Sequence, residues 1–393
     1  MEKFSIILLY YNQKNYINEA IDSILCQNYS NIELIICDDG SDLDISKTDK
    51  YIKNKNKKIE VKFLKLKKNI GTVKITNLAL SKVSGKYFLI FAADDKLYDE
   101  KVVNHFITAF NNNLEIDIIS SQCILYDREL KKVYSKYVDV NEALLLNTKE
   151  PIDLFKILCK KCVYAAGATA YRSCLINDKQ LIPEDYILVE DLSLWLDLTL
   201  KGKKIKYIDF VSLCHRDGGV SKSDEINNVS ETQKIYYNDI LKIKENFPLK
   251  NINLFSLKEQ KDIIDDYRNY LNFISNKIPS NKNIYELKIR KIIYSKWWYL
   301  LLIFKRKLKR KISMLKSQIK NFVYNYYHYS FKLRIKKSIL EFAILILWIL
   351  LNIVSCIYLK NKYLIFLFFI INFFISSILT KIILLFWRKY AKK

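Results

Sequence analysis

The stretch SIILLYYNQKNYINEAIDSILCQNYSNIELIICDDGSD, residues 5–42, decides the fold. An apolar run of strand length, Phe4 to Tyr10, is followed by helical spacing over about residues 16–27 and by a second run, Ile32 to Cys37. The second run is apolar on nearly consecutive positions, which favours a strand that helices cover on both faces. We therefore predict a strand, a crossover helix and a parallel strand.

The same alternation continues to residue 126. Further strands are predicted at Ile59–Leu66, Tyr87–Ala92 and Ile116–Tyr126, and further helices at about 72–83 and 99–111. Residues 151–220 add helical and extended pieces that we place in the same domain. The expected fold is α/β, with a mainly parallel central sheet over residues 1–225.

The charge of the chain is unevenly distributed. The formal net charge is +24, but residues 1–250 are nearly neutral, and after Glu286 the only acidic residue is Glu341. Dense positive charge is typical of nucleic-acid binding, and a tail that binds polynucleotide is one rival interpretation. Because the basic residues flank apolar runs, we expect a membrane partner and no nucleic acid.

Two apolar runs near the end of the chain predict a transmembrane hairpin. Phe342 to Leu359 and Tyr363 to Thr380 are uncharged runs of 18 residues each. As helices they would each span about 27 Å, against a hydrocarbon core of about 30 Å. Basic clusters precede the first run and follow the second, so we expect both flanks on the cytoplasmic side.

The region between the α/β domain and the hairpin divides in two. Residues 226–290 have a polar helical pattern and are predicted to form a helical extension. Residues 291–337 set Trp297 and Trp298 beside a basic cluster, which predicts an amphipathic segment on the membrane surface. A solvated basic helix packed on the domain is the alternative. Residues 338–393 hold the two predicted spans and a basic tail.

Acidic residues follow two of the predicted strands. Asp38 and Asp39 follow IELIIC, and Asp94 and Asp95 follow YFLIFA. Open parallel sheets bind ligands at the carboxyl ends of their strands, and carboxylates there can bind ribose, a base or a divalent cation. A Mg²⁺ or Mn²⁺ ion that bridges to a diphosphate would explain Asp94 and Asp95. Turn formation and helix capping are the alternatives.

A third acidic pair, Glu190 and Asp191, opens the predicted helix VEDLSLWLDLTL. Capping would again suffice as an explanation. The functional interpretation makes Asp191 a general base that accepts a proton from an attacking hydroxyl. That role needs a raised pKa, which burial or the neighbouring Glu190 could supply.

Taken together and in this order, the motifs resemble family 2 glycosyltransferases of the GT-A fold group. The resemblance runs from the opening stretch through NIGTVKITNLALSKVSGKYFLIFAADD, GATAYR, VEDLSLWL and GGVS, over about residues 4–221. It implies that Tyr11 and Asp39 hold the base of a nucleotide donor. It also implies that Asp94 and Asp95 contact the ribose and the metal on the diphosphate, and that Asp191 is the base of an inverting transfer.

The sequence departs from the family pattern at two places. Ala92 stands where members often carry an aspartate, which leaves fewer carboxylates for ribose and metal. Leu9 and Tyr10 replace the usual small residues after the first strand. His215 falls near a position where some relatives bind diphosphate or metal, but we interpret it as an ordinary loop residue.

The sequence thus predicts an inverting glycosyltransferase with a GT-A domain, a helical extension and a transmembrane hairpin. Its expected donor is a nucleotide sugar, most simply UDP-linked, and its acceptor is a glycan or lipid-linked hydroxyl in surface polysaccharide synthesis. We expect it in the inner membrane with a cytoplasmic catalytic domain. The alternative is a degenerate membrane scaffold that binds nucleotide sugar without turnover.

Overall fold

The structure is a computed structural model, and it describes residues 1–55, 59–176, 181–218 and 229–278, together with Tyr285 and Lys288. The chain divides into two compact units between Trp297 and Trp298, and every described residue belongs to the first unit. The predicted segment 291–337 and the predicted hairpin within 338–393 lie outside the described residues. Within the described ranges, no helix is long and apolar enough to cross a membrane.

The strands of the described ranges form one nine-stranded sheet. In chain order they are β1 Phe4–Tyr10, β2 Ile32–Asp38, β3 Glu60–Lys65, β4 Tyr87–Ala92, β5 Lys96–Leu97, β6 Ile118–Tyr126, β7 Val133–Lys136, β8 Thr169–Arg172 and β9 Ile205–Arg216. Their order across the sheet is β3-β2-β1-β4-β8-β6-β9-β5, and β7 pairs with the end of β6.

The helices connect and cover these strands. They are α1 Ile17–Leu25, α2 Ile45–Asn54, α3 Thr72–Leu80, α4 Val102–Asn111, α5 Val140–Leu146, α6 Pro151–Leu158, α7 Glu190–Leu200, α8 Glu231–Lys244 and α9 Leu257–Lys277. Helices α1, α2 and α3 are the crossovers between the first four long strands. A π-helical turn, Glu245–Leu249, continues α8, and 3₁₀ turns lie at Ala166–Ala168, Ser173–Leu175 and Ile252–Leu254.

The N-terminal half of the sheet is the predicted parallel one. Strands β3, β2, β1 and β4 all run in the same direction, with Leu9 opposite Cys37 on one side and Ala92 on the other. This confirms the strand–helix–strand pattern and brings the carboxyl ends of β1, β2 and β4 to one edge.

The rest of the sheet corrects the prediction of a mainly parallel sheet. Strand β8 is antiparallel to both β4 and β6, β7 is antiparallel to β6, and β5 is antiparallel to β9, whereas β6 and β9 are parallel. The sheet is therefore mixed. An apolar run on consecutive positions shows that a strand is covered on both faces, and it carries no information about direction, because a central antiparallel strand is buried in the same way.

Each face of the sheet has its own hydrophobic core. Along β1, Ile6 and Leu8 belong to the core under α1 and α4, whereas Ile7 belongs to the opposite core. Strand β2 alternates in the same way, with Ile35 and Cys37 on the second face. Alternate residues of a strand point to opposite faces, so burial on both faces explains the uninterrupted apolar runs.

The helices after residue 229 pack on the second core. Ser230 and Ser256 start α8 and α9 with capping boxes, in which the serine hydroxyl and a side chain three residues later exchange hydrogen bonds with the backbone. Ile243 of α8 and Ile263 of α9 are buried in the same core as α7. Helix α8 therefore lies against the domain beside the start of α7.

Candidate active site

Three predicted site segments meet at the carboxyl edge of the parallel strands. The amide of Asp39 donates to the carbonyl of Tyr10 (3.1 Å), and the amide of Ala93 donates to the carbonyl of Leu9 (2.8 Å). These bonds hold the residues after β1, β2 and β4 side by side. The predicted positions Tyr11, Asp39 and Asp94 therefore lie along one edge, as the parallel topology requires.

The turn after β2 contains two aspartates, Asp38 and Asp39, that bind different parts of the chain. Asp38 is fully buried and accepts hydrogen bonds from the amide and hydroxyl of Ser41 (2.8 and 2.6 Å). Gly40 has φ +75°, and a Cβ there would lie 2.1 Å from the carbonyl carbon of Lys68. Glycine is required by both the conformation and the close approach of backbone.

Asp39, the predicted base-binding residue, is buried and already hydrogen-bonded. Its Oδ1 accepts from the amide of Ile70 (2.8 Å), and its Oδ2 accepts from the amide of Gly71 (3.0 Å). Gly71 is the N-cap of α3. Each carboxylate oxygen has a second lone pair, so Asp39 can still accept from a ligand. Tyr11 is 48% exposed, so its ring is available to a ligand.

Asp94 is bound by a residue that the sequence analysis did not single out. Its Oδ1 accepts from Nε2 of Gln13 (2.8 Å), and Oε1 of Gln13 accepts from the amide of Tyr11 (3.0 Å). Burial, and then the negative charge of Asp95, raises the pKa of Asp94. A nearby cation or hydrogen-bond donor would relieve both costs.

Asp95 is buried and bonded through both oxygens. Its Oδ2 lies 2.9 Å from Nδ1 of His215, and its Oδ1 accepts from the amide of Arg216 (3.0 Å). The interpretation of His215 as an ordinary loop residue is wrong, because it lies in β9 and pairs with Asp95. Burial acts to lower the pKa of His215, but the bond to Asp95 and the nearby acids raise it overall.

Arg216 ties the acidic loop to α1. It is buried, its Nε donates to the carbonyl of Asp94 (2.5 Å), and its guanidinium pairs with Glu19 and lies 4.6 Å from the centre of the Tyr16 ring.

The capping alternative for Asp94 and Asp95 is wrong, because the residues that follow form β5 and the next helix begins only at Val102.

The predicted metal site has only part of a ligand set. In residues 1–55, 59–176, 181–218 and 229–278, no three His, Cys, Asp or Glu side chains converge closely enough to hold a metal ion. Mg²⁺ commonly uses one or two protein carboxylates and completes its shell with substrate phosphates and water. Asp94 fits that donor set, while each oxygen of Asp95 already has a protein partner and offers only its second lone pair.

The acidic pair at the start of α7 has no cationic partner in the part of the chain that the structure describes. Glu190 and Asp191 are half-buried, and neither forms an ion pair within the described part of the chain. Burial, together with the charge of Asp191, raises the pKa of Glu190, and burial raises that of Asp191. The N-cap is Val189, which makes no side-chain capping bond, but Oδ1 of Asp191 accepts a hydrogen bond from the amide of Leu192 in the first turn (2.6 Å).

A carboxylate on α8 holds the backbone just before this pair. Oδ2 of Asp239 accepts hydrogen bonds from the amides of Ile187 (2.8 Å), Leu188 (2.7 Å) and Val189 (3.3 Å). Asp239 was missed because residues 226–290 show no recognisable motif. The available signal was an acidic residue at a buried position of an amphipathic helix, in YYNDILKI.

The segment before α7 also connects the two parts of the site. The carbonyl of Ile187 accepts from the amide of Val73 in α3 (3.1 Å), and Asp39 binds the residues at the start of that helix. The structure thus joins Asp39 to the Asp191 segment through α3, and joins Tyr11 to Asp94 through Gln13. It shows no direct bond between Asp191 and the Asp94–Asp95 loop among the described residues.

An α/β domain with polar and acidic side chains along the carboxyl edge of its parallel strands defines a ligand-binding domain of the open-sheet class. The sequence model of glycosyl transferase family 2 matches residues 5–174. This part of the chain matches that family, and the chain is a glycosyltransferase. The resemblance seen in the sequence is confirmed.

Relatives of known sequence agree with this assignment. An uncharacterized glycosyltransferase of Haemophilus influenzae is 29% identical over 244 residues, which are 58% of this chain and 70% of that protein. The Escherichia coli enzyme WfaP, a UDP-Glc:alpha-D-GlcNAc-diphosphoundecaprenol beta-1,3-glucosyltransferase, is 29% identical over 55% of this chain and 78% of its own length. The chain spans about a third or less of the Rickettsia glycosyltransferases that it matches.

Solved structures show weaker similarity. Staphylococcus aureus TarS 1–349 in complex with UDP-GlcNAc is 17% identical and covers 68% of this chain and 80% of its own, with a TM-score of 0.47.

Proposed function

We propose that the chain is an inverting glycosyltransferase that transfers a sugar from a nucleotide sugar, UDP-linked, to a hydroxyl of a glycan or lipid-linked acceptor. Tyr11 and Asp39 hold the base of the donor, Asp94 contacts its ribose and diphosphate, and Asp191 is the general base. The observation that carries this proposal is that Tyr11, Asp39 and Asp94 line the carboxyl edge of the parallel strands in a domain that matches family 2, and that the segment before Asp191 is joined to this edge through α3.

The reaction is a single displacement. The acceptor oxygen forms a bond to the anomeric carbon while the bond from that carbon to the diphosphate oxygen breaks, and the electron pair leaves with the nucleoside diphosphate. The hydroxyl proton passes to Asp191. A carboxylate with a raised pKa is a stronger base than an ordinary one, and general bases work best with a pKa near the operating pH.

The donor end of the site stabilises negative charge. A bound Mg²⁺ or Mn²⁺ would neutralise charge on the leaving diphosphate. Asp94 would be its protein ligand, and Asp95 would orient the loop through His215 and Arg216. Gln13 keeps the Asp94 carboxylate in place by a hydrogen bond from the β1 loop.

The acceptor and the location are proposed from the sequence and from a relative. The name of WfaP gives its acceptor as a sugar on diphosphoundecaprenol, which is a lipid-linked acceptor. The two apolar runs after residue 341 suit an enzyme that works on such lipids at the inner membrane, with its catalytic domain in the cytoplasm. We propose a role of this kind in surface polysaccharide synthesis.

The test is nucleotide release from a panel of UDP-, GDP-, CDP- and dTDP-sugars by the purified full chain in mild detergent, with Mn²⁺ or with EDTA. Slow hydrolysis of the donor reports the transferase before its acceptor is known. Metal-dependent release from one donor supports the proposal and identifies the nucleotide. If no donor is bound or cleaved under any condition, the proposal fails.

A catalytically degenerate scaffold is the second candidate. Two observations favour it: Ala92 replaces an aspartate that family members often carry, and both oxygens of Asp95 are engaged by the protein. A scaffold would bind one nucleotide sugar tightly and release no nucleotide, even when lipid-linked acceptors are supplied.

A further inference from the structure

Asp239 is an unusual residue for the middle of a helix in a protein core. It lies in α8, its side chain is fully buried, and its Oδ2 accepts hydrogen bonds from three consecutive backbone amides. Its Oδ1 is also buried and has no hydrogen-bond partner among the described residues. A buried carboxylate with one unpaired oxygen is costly, so stability alone does not explain its presence.

The three amides belong to the residues that lead into the acidic pair. Val189 is the N-cap of α7, and Glu190 and Asp191 are the first two residues of the helix. An acceptor that holds residues 187–189 therefore fixes where α7 begins. It also fixes the direction in which Asp191 leaves the backbone.

The same segment is held from its other side by α3. The carbonyl of Ile187 accepts from the amide of Val73, and a Cβ on Gly71 would lie 2.5 Å from Cγ2 of Ile187. Tyr236 of α8 packs on the same hydrophobic core as Leu192 of α7. Helix α8 thus lies beside the start of α7, and residues 187–189 bind both α8 and α3.

We propose that Asp239 is a positioning residue for the transfer reaction: by binding the amides of residues 187–189 it places Asp191 against the acceptor hydroxyl. The inference rests on the proposed function, since it concerns the general base of that reaction. It assigns a task to the helical extension, which otherwise carries no recognised chemistry.

A purely structural role makes a different prediction. If Asp239 only joined α8 to the domain, its replacement would lower the melting temperature but leave kcat per folded molecule unchanged. If it positions Asp191, kcat falls while the KM for the donor is retained, because the proposed donor contacts follow strands β1, β2 and β4. A displacement of about 1 Å at a catalytic group can cost about a hundredfold in rate.

The experiment compares Asp239→Ala and Asp239→Asn in the full chain, with kcat, donor KM and folded fraction measured for each. Alanine removes the acceptor, and we expect kcat to fall about a hundredfold with the donor KM changed less than about threefold. Asparagine keeps a neutral oxygen for the amides, so we expect a loss of about three- to tenfold. Gln260→Ala is the matched control: Gln260 is buried in α9 and its Nε2 donates to the carbonyl of Phe255 (2.8 Å), away from α7.

Two results would overturn the inference. One is a folded Asp239→Ala protein with kcat within about threefold of the wild type. The other applies if the alanine variant fails to fold. It is an Asp239→Asn protein whose backbone amides at residues 187–189 exchange hydrogen faster than in the wild type but whose kcat equals that of the wild type. An inactive wild type, by contrast, means that the proposed function itself has failed.

Discussion

Two acidic sites of the domain, one fully buried and one half-buried, differ in how their charge is matched. Glu33, near the start of β2, is fully buried and surrounded by donors: Lys62 Nζ at 2.6 Å, the hydroxyl and amide of Ser84, the amide of Gly85 and the hydroxyl of Ser5. Although burial alone would raise its pKa, these donors lower the pKa of Glu33 to about 2.

The pair Glu190 and Asp191 is the opposite case. It has no cationic partner among the described residues, and burial raises the pKa of both members. Glu33 is held by a lysine and several other donors, whereas Asp191 accepts a hydrogen bond from the amide of Leu192 (2.6 Å) and pairs with no cation among the described residues. We therefore propose that Glu33 serves stability and that the pair serves chemistry.

The largest expected effect is the loss of turnover in Asp191→Asn. Without a general base, kcat should fall by about 10²- to 10⁴-fold, with little change in the donor KM. Steady-state nucleotide release with the identified donor measures it. Asp197→Asn is the matched control on the same helix, because Asp197 forms a partly exposed ion pair with Lys201 (2.6 Å) and its loss should leave kcat unchanged. Wild-type turnover in Asp191→Asn would remove Asp191 from the mechanism.

Glu33→Gln should show the reverse pattern. Removal of one partner from this buried, hydrogen-bonded pair should lower the free energy of unfolding by about 3 kcal/mol, since Lys62 keeps some contact with solvent. The kcat per folded molecule should not change. Urea denaturation of the variant and wild type at pH 7 measures the difference.

The difference in the free energy of unfolding between the wild type and Glu33→Gln should depend on pH, which tests whether ionised Glu33 stabilises the fold. Because the folded pKa of Glu33 is below its ordinary value of 4.5, its ionised form stabilises the protein above that value. This stabilisation is lost as the pH falls through about 2. The gap in stability between wild type and Glu33→Gln should therefore narrow as the pH is lowered from 4.5, and a gap that does not depend on pH would contradict the assignment.

Asp94→Asn should weaken metal-dependent donor use. Mutation of a residue that only hydrogen-bonds to a metal ligand lowers metal affinity about 10- to 100-fold. Loss of a ligand itself should therefore raise the Mn²⁺ concentration for half-maximal activity about tenfold or more. Titration of activity with Mn²⁺ after EDTA treatment measures it. Asp99→Asn, four residues after Asp95, is the control, because the Asp99 carboxylate binds only the nearby amide of Lys101 (2.9 Å). Equal Mn²⁺ requirements in Asp94→Asn and wild type would exclude Asp94 as a ligand.

Glu190→Gln should have the smallest effect, which is a change in how the free energy of unfolding depends on pH. Because the pKa of Glu190 is raised in the folded state, there is a pH range in which Glu190 is neutral in the folded protein but ionised in the unfolded chain. Over that range, which begins at about pH 4.5, its presence lowers the free energy of unfolding as the pH rises. Glutamine does not ionise, so the variant should lose less stability than the wild type between pH 5 and pH 8. Parallel profiles would show that Glu190 does not carry a raised pKa.

The sequence predicts the parallel half of the fold well. Strands β1 and β4 have their predicted bounds, and α1, α3 and α4 lie within the predicted helical stretches, whereas α2 was not predicted. Strand direction beyond β4 could not be predicted, because burial on both faces produces the same apolar pattern in parallel and antiparallel strands. Hydrophobicity reports which residues are covered, and it does not report which strand pairs with which.

The candidate site divides along similar lines. Asp39 and Asp94 follow strands, so parallel topology brings them together as predicted. His215 and Asp239 were missed because their partners are 120 and about 50 residues away along the chain. Short motifs describe neighbours along the chain, whereas a buried hydrogen bond between distant elements leaves only an isolated polar residue in an apolar run.

The measurement that tests the comparison most directly is the melting temperature of Asp191→Asn, determined on the same preparation whose kcat is measured. The account predicts that turnover is lost while the melting temperature equals or exceeds that of the wild type, because a half-buried carboxylate with no cationic partner among the described residues has been replaced by a neutral amide. A melting temperature several degrees lower, with kcat per folded molecule retained, would show that Asp191 serves the fold and not the reaction.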